Sequence, residues 1–361
     1  MKKKKIFFLV PSLRLGGSEN FIITLVSSLD KSKFDISVLL VNTTDSRVIK
    51  LPNHIDLIDL GSSRVRYSIF KILTYVYRRK PDILFSTVSH LNLYVSILKY
   101  FLPRGMRVIA RETNTLSNRY LDQSYPLLFK YLYKIFYNNI DTFVAQSRHM
   151  ANDLESFNVV GSKIEVIYNP VDVEKIKTLS KEPCIEYKRD CIRLLSVGSL
   201  VYQKGHDILL RALAAVDLDF HLIVLGDGHL RSDLIALSEK LGLKNKVDFL
   251  GQDQNPYRFM ECADYLILSS RYEGLPNVVL ESHACGLPVI CLNSPGGVSE
   301  IITDKENGIM LDEFSPFTLT LTFNDAYLNE FCRKRISKTV NQYFDISKIM
   351  PIYEKLFLLD Q

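Results

Sequence analysis

Two glutamates, Glu273 and Glu281, stand eight residues apart in the stretch from Ser269 to Pro288 of this 361-residue chain. A carboxylate accepts hydrogen bonds and donates none, so the hydroxyls of a sugar or a ribose suit it. Glu281 interrupts an apolar run, where its charge is costly unless something polar meets it. The preceding apolar run, Tyr265 to Leu268, reads as a buried strand. Gly274 and Pro276 then open a helix that ends at Gly286, with Pro288 beyond it. Amides at such a helix start have no intrahelical partner and favour an anion. Taken alone, the pair fits a helix with one solvated Glu as well as it fits a site.

Other turns lie in the same structural position. Gly16-Gly17 follows the apolar run Ile6 to Val10, and Ser18 is placed to cap a helix through about Leu29. This is not the G-x-G-x-x-G fingerprint, and the next strand, Ile36 to Val41, ends in Asn42 rather than an acid. A dinucleotide dehydrogenase is therefore disfavoured. Gly198-Ser199 follows the run Ile192 to Val197 and leads to Lys204-Gly205, where an ammonium suits a diphosphate. Gly226-Asp227-Gly228 follows His221 to Leu225, and Gly296-Gly297 follows Val289 to Leu292. Ligands of open α/β sheets bind at the carboxyl ends of strands, which is where every one of these turns falls.

Short apolar runs alternate with helix-period segments along the whole chain. That pattern predicts an α/β fold with two Rossmann-like parallel sheets, each covered by helices on both faces. The polar stretch 173–190 reads as a linker. The length accommodates two full cores. Six cysteines without C-x-x-C spacing argue against zinc or dithiol chemistry. The apolar part of the N-terminus stops at Pro11, too short for a signal peptide, and no apolar run reaches the length of a membrane span. These features predict a cytoplasmic-side protein.

Residues 61–140 hold thirteen Lys or Arg against three acids, so they carry +10 of a chain whose net charge is +5, leaving 5 − 10 = −5 for the rest. The same residues hold fifteen of the thirty-nine Phe and Tyr. On the expected helix Pro126 to Tyr137, Leu128, Tyr131, Leu132, Ile135 and Phe136 form one stripe, and Lys130, Tyr133, Lys134 and Tyr137 form the other. The first is expected to face the core and the second an anionic membrane surface, giving peripheral attachment to the cytoplasmic leaflet. Nucleic acid is not expected, because no recognition motif accompanies the charge.

The motifs Glu273-Gly274-Leu275-Pro276, Glu281, Ala284-Cys285-Gly286-Leu287-Pro288 and Asn169-Pro170-Val171-Asp172 resemble the retaining glycosyltransferases of family 4, which share the GT-B fold. The resemblance implies a surface-polysaccharide or lipid-linked glycan enzyme that moves a hexose or N-acetylhexosamine from a nucleotide sugar, a UDP-sugar, with retention of configuration. It divides the chain into an acceptor-side domain 1–172, a linker 173–190, a nucleotide-sugar domain 191–340 and a C-terminal helix 341–361 crossing back to the first domain. Glu273 then contacts the donor sugar and Glu281 the ribose. The donor set comprises Gly16, Gly17, Gly198, Ser199, Lys204, Gly226, Gly228, Glu273, Gly274, Leu275, Pro276, Asn277 and Glu281.

Ser199 stands where the family carries an Arg on the diphosphate, with Arg14 and Arg271 as possible replacements. Arg111-Glu112 stands where the family often has a His. Glu112 is thus a candidate to polarise an acceptor hydroxyl, the other reading being a surface residue paired with Arg111. The catalytic set is Glu273, Lys204 and Glu112. No Asp-x-Asp pair appears in a loop that could hold a divalent cation, so no metal and no cofactor beyond the donor are expected. The alternative to an enzyme is a non-catalytic GT-B partner subunit of another transferase, suggested by the missing Arg and His.

Overall fold

The structure, a computed structural model, describes residues 3–13, 16–42, 51–62, 65–121, 124–184, 187, 191–324 and 331–359. It divides into two compact units: Met1–Pro170 with Ser347–Gln361, and Val171–Ile346.

The strands of the first unit are β1 (Lys4–Val10), β2 (Phe34–Leu40), β3 (Asp56–Asp59), β4 (Ile83–Thr87), β5 (Arg107–Arg111), β6 (Thr142–Ala145) and β7 (Ile164–Val166). Its helices begin with α1 (Gly17–Ser28), α2 (Val65–Arg79) and α3 (Ser89–Leu98). They continue with α4 (Leu116–Arg119), α5 (Pro126–Phe136) and α6 (Arg148–Ser156). All strand pairs are parallel, in the order β3-β2-β1-β4-β5-β6-β7. The strands β1, β4 and β5 are buried almost throughout, with apolar centres, as expected where helices cover both faces.

The second unit adds α7 (Val173–Ser180), β8 (Ile192–Val197), α8 (His206–Leu213), β9 (Phe220–Leu225), α9 (Arg231–Lys240) and β10 (Val247–Gly251). It continues with α10 (Tyr257–Cys262), β11 (Tyr265–Leu268), α11 (Asn277–Ala284), β12 (Val289–Leu292) and β13 (Gly308–Leu311). The helices α12 (Pro316–Asn324), α13 (Arg333–Tyr343) and α14 (Ile346–Leu358) end the chain. The order β10-β9-β8-β11-β12-β13 again reverses direction beside the first strand. Each sheet therefore has a switch point, β1/β4 in one and β8/β11 in the other, where successive crossovers leave to opposite sides and a crevice opens.

Three expectations change. The stretch read as a polar linker carries helix α7, which Asp172 caps by accepting from the Lys175 amide. The C-terminal segment is several helices, and from Ser347 onward α14 belongs to the first unit. There Phe357 packs edge-on against Phe8 and Phe85, with ring centroids 6.0 and 5.7 Å apart. On α5 burial does not follow the two stripes: Leu132 and Phe136 pack partly against the core, and Lys134 is exposed. Tyr133 and Tyr137 are buried and stacked at 4.8 Å, while Leu127, Leu128, Tyr131 and Ile135 are exposed. The inward turn of Tyr137 is favoured by partners for its O–H, whereas the Tyr133 hydroxyl has none among the described residues. Tyr137 finds two, the Ser89 carbonyl at 3.1 Å and the Glu112 carboxylate at 3.0 Å.

Candidate functional site

The residues that carry chemistry gather at the β8/β11 switch of the second unit. Leu194 and Leu195 pair with Tyr265 and Leu266, so the loops after β8 and β11 leave from adjacent strand ends. They are tied together by main-chain and side-chain hydrogen bonds. Arg271 N donates to Gln203 O at 2.8 Å, Gln203 Nε2 to Tyr272 O at 3.0 Å, and Ser269 Oγ to Lys204 O at 3.0 Å. Gly205 adopts φ +64°, and a β-carbon there would lie 2.1 Å from Ser269 O. That combination admits only glycine.

This interlock brings Lys204 to Glu273. The ammonium lies 2.5 Å from Glu273 Oε1, and Ser270 Oγ donates to the same oxygen at 2.6 Å. Glu273 is only 5% exposed, which makes a charged partner necessary. The loop after β12 fixes its backbone: Glu273 N donates to Pro295 O at 3.0 Å and Gly297 N to Gly274 O at 2.7 Å. Gly274, Leu275 and Pro276 are buried behind it, and Asn277 opens α11.

One turn along α11, Glu281 is in a different state. It is partly buried, its carboxylate accepts no hydrogen bond among the described residues, and it is pushed up to about 7 by desolvation. An ionisable group shifted in this way at a strand-end crevice is a ligand-site candidate. Nearby, the loops after β8 and β9 touch. Gly198 N donates to Leu225 O and Leu200 N to Asp227 O, both at 2.9 Å, and β-carbons at Gly226 and Gly228 would run into Gly198 O and Leu200 O. The glycine signal thus marks close backbone crossings, which leave main-chain edges facing the crevice.

Ser199 is exposed and supplies no cation. Arg271 does not replace the missing Arg. Its guanidinium is held by both oxygens of Asp207, at 2.9 and 2.8 Å, and stacks 3.9 Å over the Tyr202 ring. Arg14 lies outside the described residues. Among the described residues, Lys204 is the cation paired with Glu273. Ser270 was not singled out from the sequence, and its signal is a short hydroxyl three residues before a buried acid.

In the first unit, Gly16 precedes α1 with extended backbone and Gly17 is the first helical residue, so the helix begins one residue before the expected cap Ser18. Both glycines follow β1, at that sheet's own switch point. Glu112 is not available to an acceptor. It is 1% exposed, its Oε2 accepts from Ser89 at 2.5 Å, and its Oε1 accepts from Asn92 at 2.6 Å and Tyr137 at 3.0 Å. Burial raises its pKa, and the three donors hold it down. Nor is it a surface partner of Arg111, which is itself buried, stacked 3.5 Å over Phe21 and bonded to Asn169 Oδ1 at 2.7 Å. The Glu112 carboxylate clamps the first turn of α3, whose preceding residue Val88 is held at φ +75°. A β-branched residue there is strained and persists only when its surroundings enforce it.

The chain is similar to known proteins. The description "Glycosyl transferases group 1" matches residues 186–342 and "Glycosyltransferase Family 4" matches residues 15–175. A Campylobacter jejuni protein is 30% identical over 365 residues, covering 97% of each chain. It is named N-acetylgalactosamine-N,N'-diacetylbacillosaminyl-diphospho-undecaprenol 4-alpha-N-acetylgalactosaminyltransferase. The amylovoran biosynthesis glycosyltransferase AmsD of Erwinia amylovora is 23% identical, covering 91% of each chain. Among solved structures, Anabaena HepE in complex with UDP-glucose superposes with a TM-score of 0.79 at 20% identity, over 98% of this chain and 100% of that one.

Proposed function

Since this chain belongs to the GT-B glycosyltransferases of the family 4 type, we propose that it moves a hexose or N-acetylhexosamine from a uridine diphosphate donor to a lipid-linked or growing surface glycan. The observation that carries the donor half is the convergence of Lys204, Glu273 and the unpartnered Glu281 on one switch point. Lys204 and the amides of the surrounding loops stabilise the departing diphosphate, which leaves with the electron pair of the broken glycosidic bond. Glu281 accepts from the ribose hydroxyls and Glu273 from the sugar. The reaction keeps the anomeric configuration and needs no divalent metal. The first statement rests on the family, and the second on the place of the chain's Asp-x-Asp pair, Asp217 and Asp219, which lies before β9, at the opposite end of the sheet from the switch-point loops.

The lipid-linked acceptor is supported by the Campylobacter jejuni relative, whose name specifies a diphospho-undecaprenol substrate. Such an acceptor stays in the bilayer, so the enzyme docks peripherally on the anionic cytoplasmic leaflet. No helix among the described residues is long and apolar enough to cross a membrane. The docking face in this reading is the exposed side of α5 and α2, where Leu127 is 82% and Phe70 81% exposed beside Tyr131 and Lys134. Tyr77 on α2 donates to Phe101 O at 2.9 Å, and Tyr100 to Asn139 Oδ1 at 3.3 Å. These bonds join α2, the turn after α3 and the turn after α5 along one side.

The test is a transfer assay in EDTA with a polyprenyl-diphosphate glycan and a panel of nucleotide sugars. The anomeric proton of the product is followed by NMR. Transfer with the donor's configuration supports the proposal. An inverted product, or activity that returns only with magnesium or manganese, overturns the mechanism.

A further inference from the structure

The cation that suits a diphosphate is paired within the protein itself. Lys204 Nζ is held by Glu273 Oε1 at 2.5 Å, and the same oxygen takes a second donor, Ser270 Oγ, at 2.6 Å. The two donors differ in freedom. Ser270 is buried on the same loop as Glu273, whereas Lys204 sits at the end of a flexible stem laid along Gly198. The stem carbons lie 3.5 to 3.7 Å from where a Gly198 β-carbon would be, so the bare backbone leaves the stem unobstructed on that side. The Glu273 carboxylate cannot follow the ammonium. Its backbone is bonded to Pro295 O, and Gly296 approaches so closely that a β-carbon there would lie 2.0 Å from Glu273 O.

We propose that Lys204 changes partners when a nucleoside diphosphate binds, leaving Glu273 for the terminal phosphate, while Ser270 holds the released carboxylate in place. This rests on the donor reading above. A diphosphate offers more charge and more acceptor oxygens than one carboxylate, and an ammonium follows charge without a fixed fork geometry. A buried carboxylate that loses its only donor is costly, so the second donor makes the exchange feasible. Glu273 gains a free acceptor position only after the diphosphate has taken Lys204. Sugar recognition is thereby made conditional on the diphosphate, and Ser270 is a positioning residue for it.

The exchange makes Glu273 a competitor of the ligand, which yields an unusual expectation for a binding-site acid. Calorimetric titration of Glu273→Gln with UDP should show tighter binding than wild type, by roughly tenfold or more. UMP, which lacks the second phosphate, should bind both proteins alike. The preference for UDP-sugar over UDP should fall in the variant. Ser270→Ala keeps the ion pair but leaves the released carboxylate without a donor, so it should bind UDP severalfold more weakly. This second variant tests the exchange even if Glu273→Gln fails to fold. Glu273→Gln binding UDP no tighter than wild type, or Ser270→Ala binding it equally well, overturns the exchange while the donor site stands. Absence of UDP binding by the wild type would instead remove the donor reading itself.

Discussion

Gly226 passes so close to Gly198 that a β-carbon on it would lie 1.9 Å from the Gly198 carbonyl oxygen. The contact is between two main chains, neither of which can rotate away, and Gly226 also holds φ +146°. The turns after β8 and β9 are thereby set against each other, and Lys204 hangs from the first of them.

Gly226→Ala should therefore separate these turns. The expected cost is about 1–3 kcal/mol of stability, together with weakened UDP binding. Gly242→Ala is the control, because Gly242 has φ +75° but nothing within 4 Å of its would-be β-carbon. It should cost about 1 kcal/mol and leave UDP binding alone. Thermal melts with and without UDP read both effects, and equal ligand-induced shifts in the two variants would contradict the coupling.

Glu281 titrates near 7 in the folded protein, against an ordinary 4.5. Between those values the native state holds a proton that the unfolded chain has lost, so stability falls as pH rises from about 4.5 to 7. The loss is at most about 3–4 kcal/mol, at about 1.4 kcal/mol per unit. Glu281→Gln should then raise the melting temperature at pH 8 and change it little at pH 5. UDP affinity of the wild type should rise between pH 6 and 8, as the carboxylate that accepts from the ribose ionises. A Glu281→Gln protein no more stable than wild type at pH 8 would show that the carboxyl is not desolvated.

Docking through α5 predicts that Leu128→Glu combined with Lys134→Glu releases the protein from anionic vesicles while UDP binding persists. Each basic residue near such a surface contributes about 1 kcal/mol, and buried aliphatic area adds to it. Vesicle flotation at low salt measures the outcome, and a wild type that ignores anionic vesicles removes the membrane from the account.

Strands β8, β11 and β12 start and stop where the sequence predicts. Short runs rich in Leu, Ile and Val, closed by Gly198, Ser269 and Asn293, leave few alternatives for a buried parallel strand. The close glycine crossings were equally legible as turns at strand ends. The ion pair between Lys204 and Glu273 was not, because residues that distant in sequence meet only after strand order is known. The faces of α5 misled for a related reason. Periodicity reveals two stripes, and the inward turn of Tyr137 is favoured by the acceptors it meets on Glu112 and Ser89, groups on other elements. Glu112 is a sequence candidate only through its place where the family often has a His. Ser89, Asn92 and Tyr137 convert it into a buried hub.

The central claim is that the second unit holds the nucleotide of a sugar donor, with Glu281 on its ribose. It is tested most directly by calorimetric titration of UDP, at pH 8, into wild type and a folded Glu281→Ala protein. The account predicts binding by the wild type and a loss of about 1.5–3 kcal/mol in the variant, as for a hydrogen bond to a charged group. Equal affinity in the two proteins, or no UDP binding by either, would contradict it.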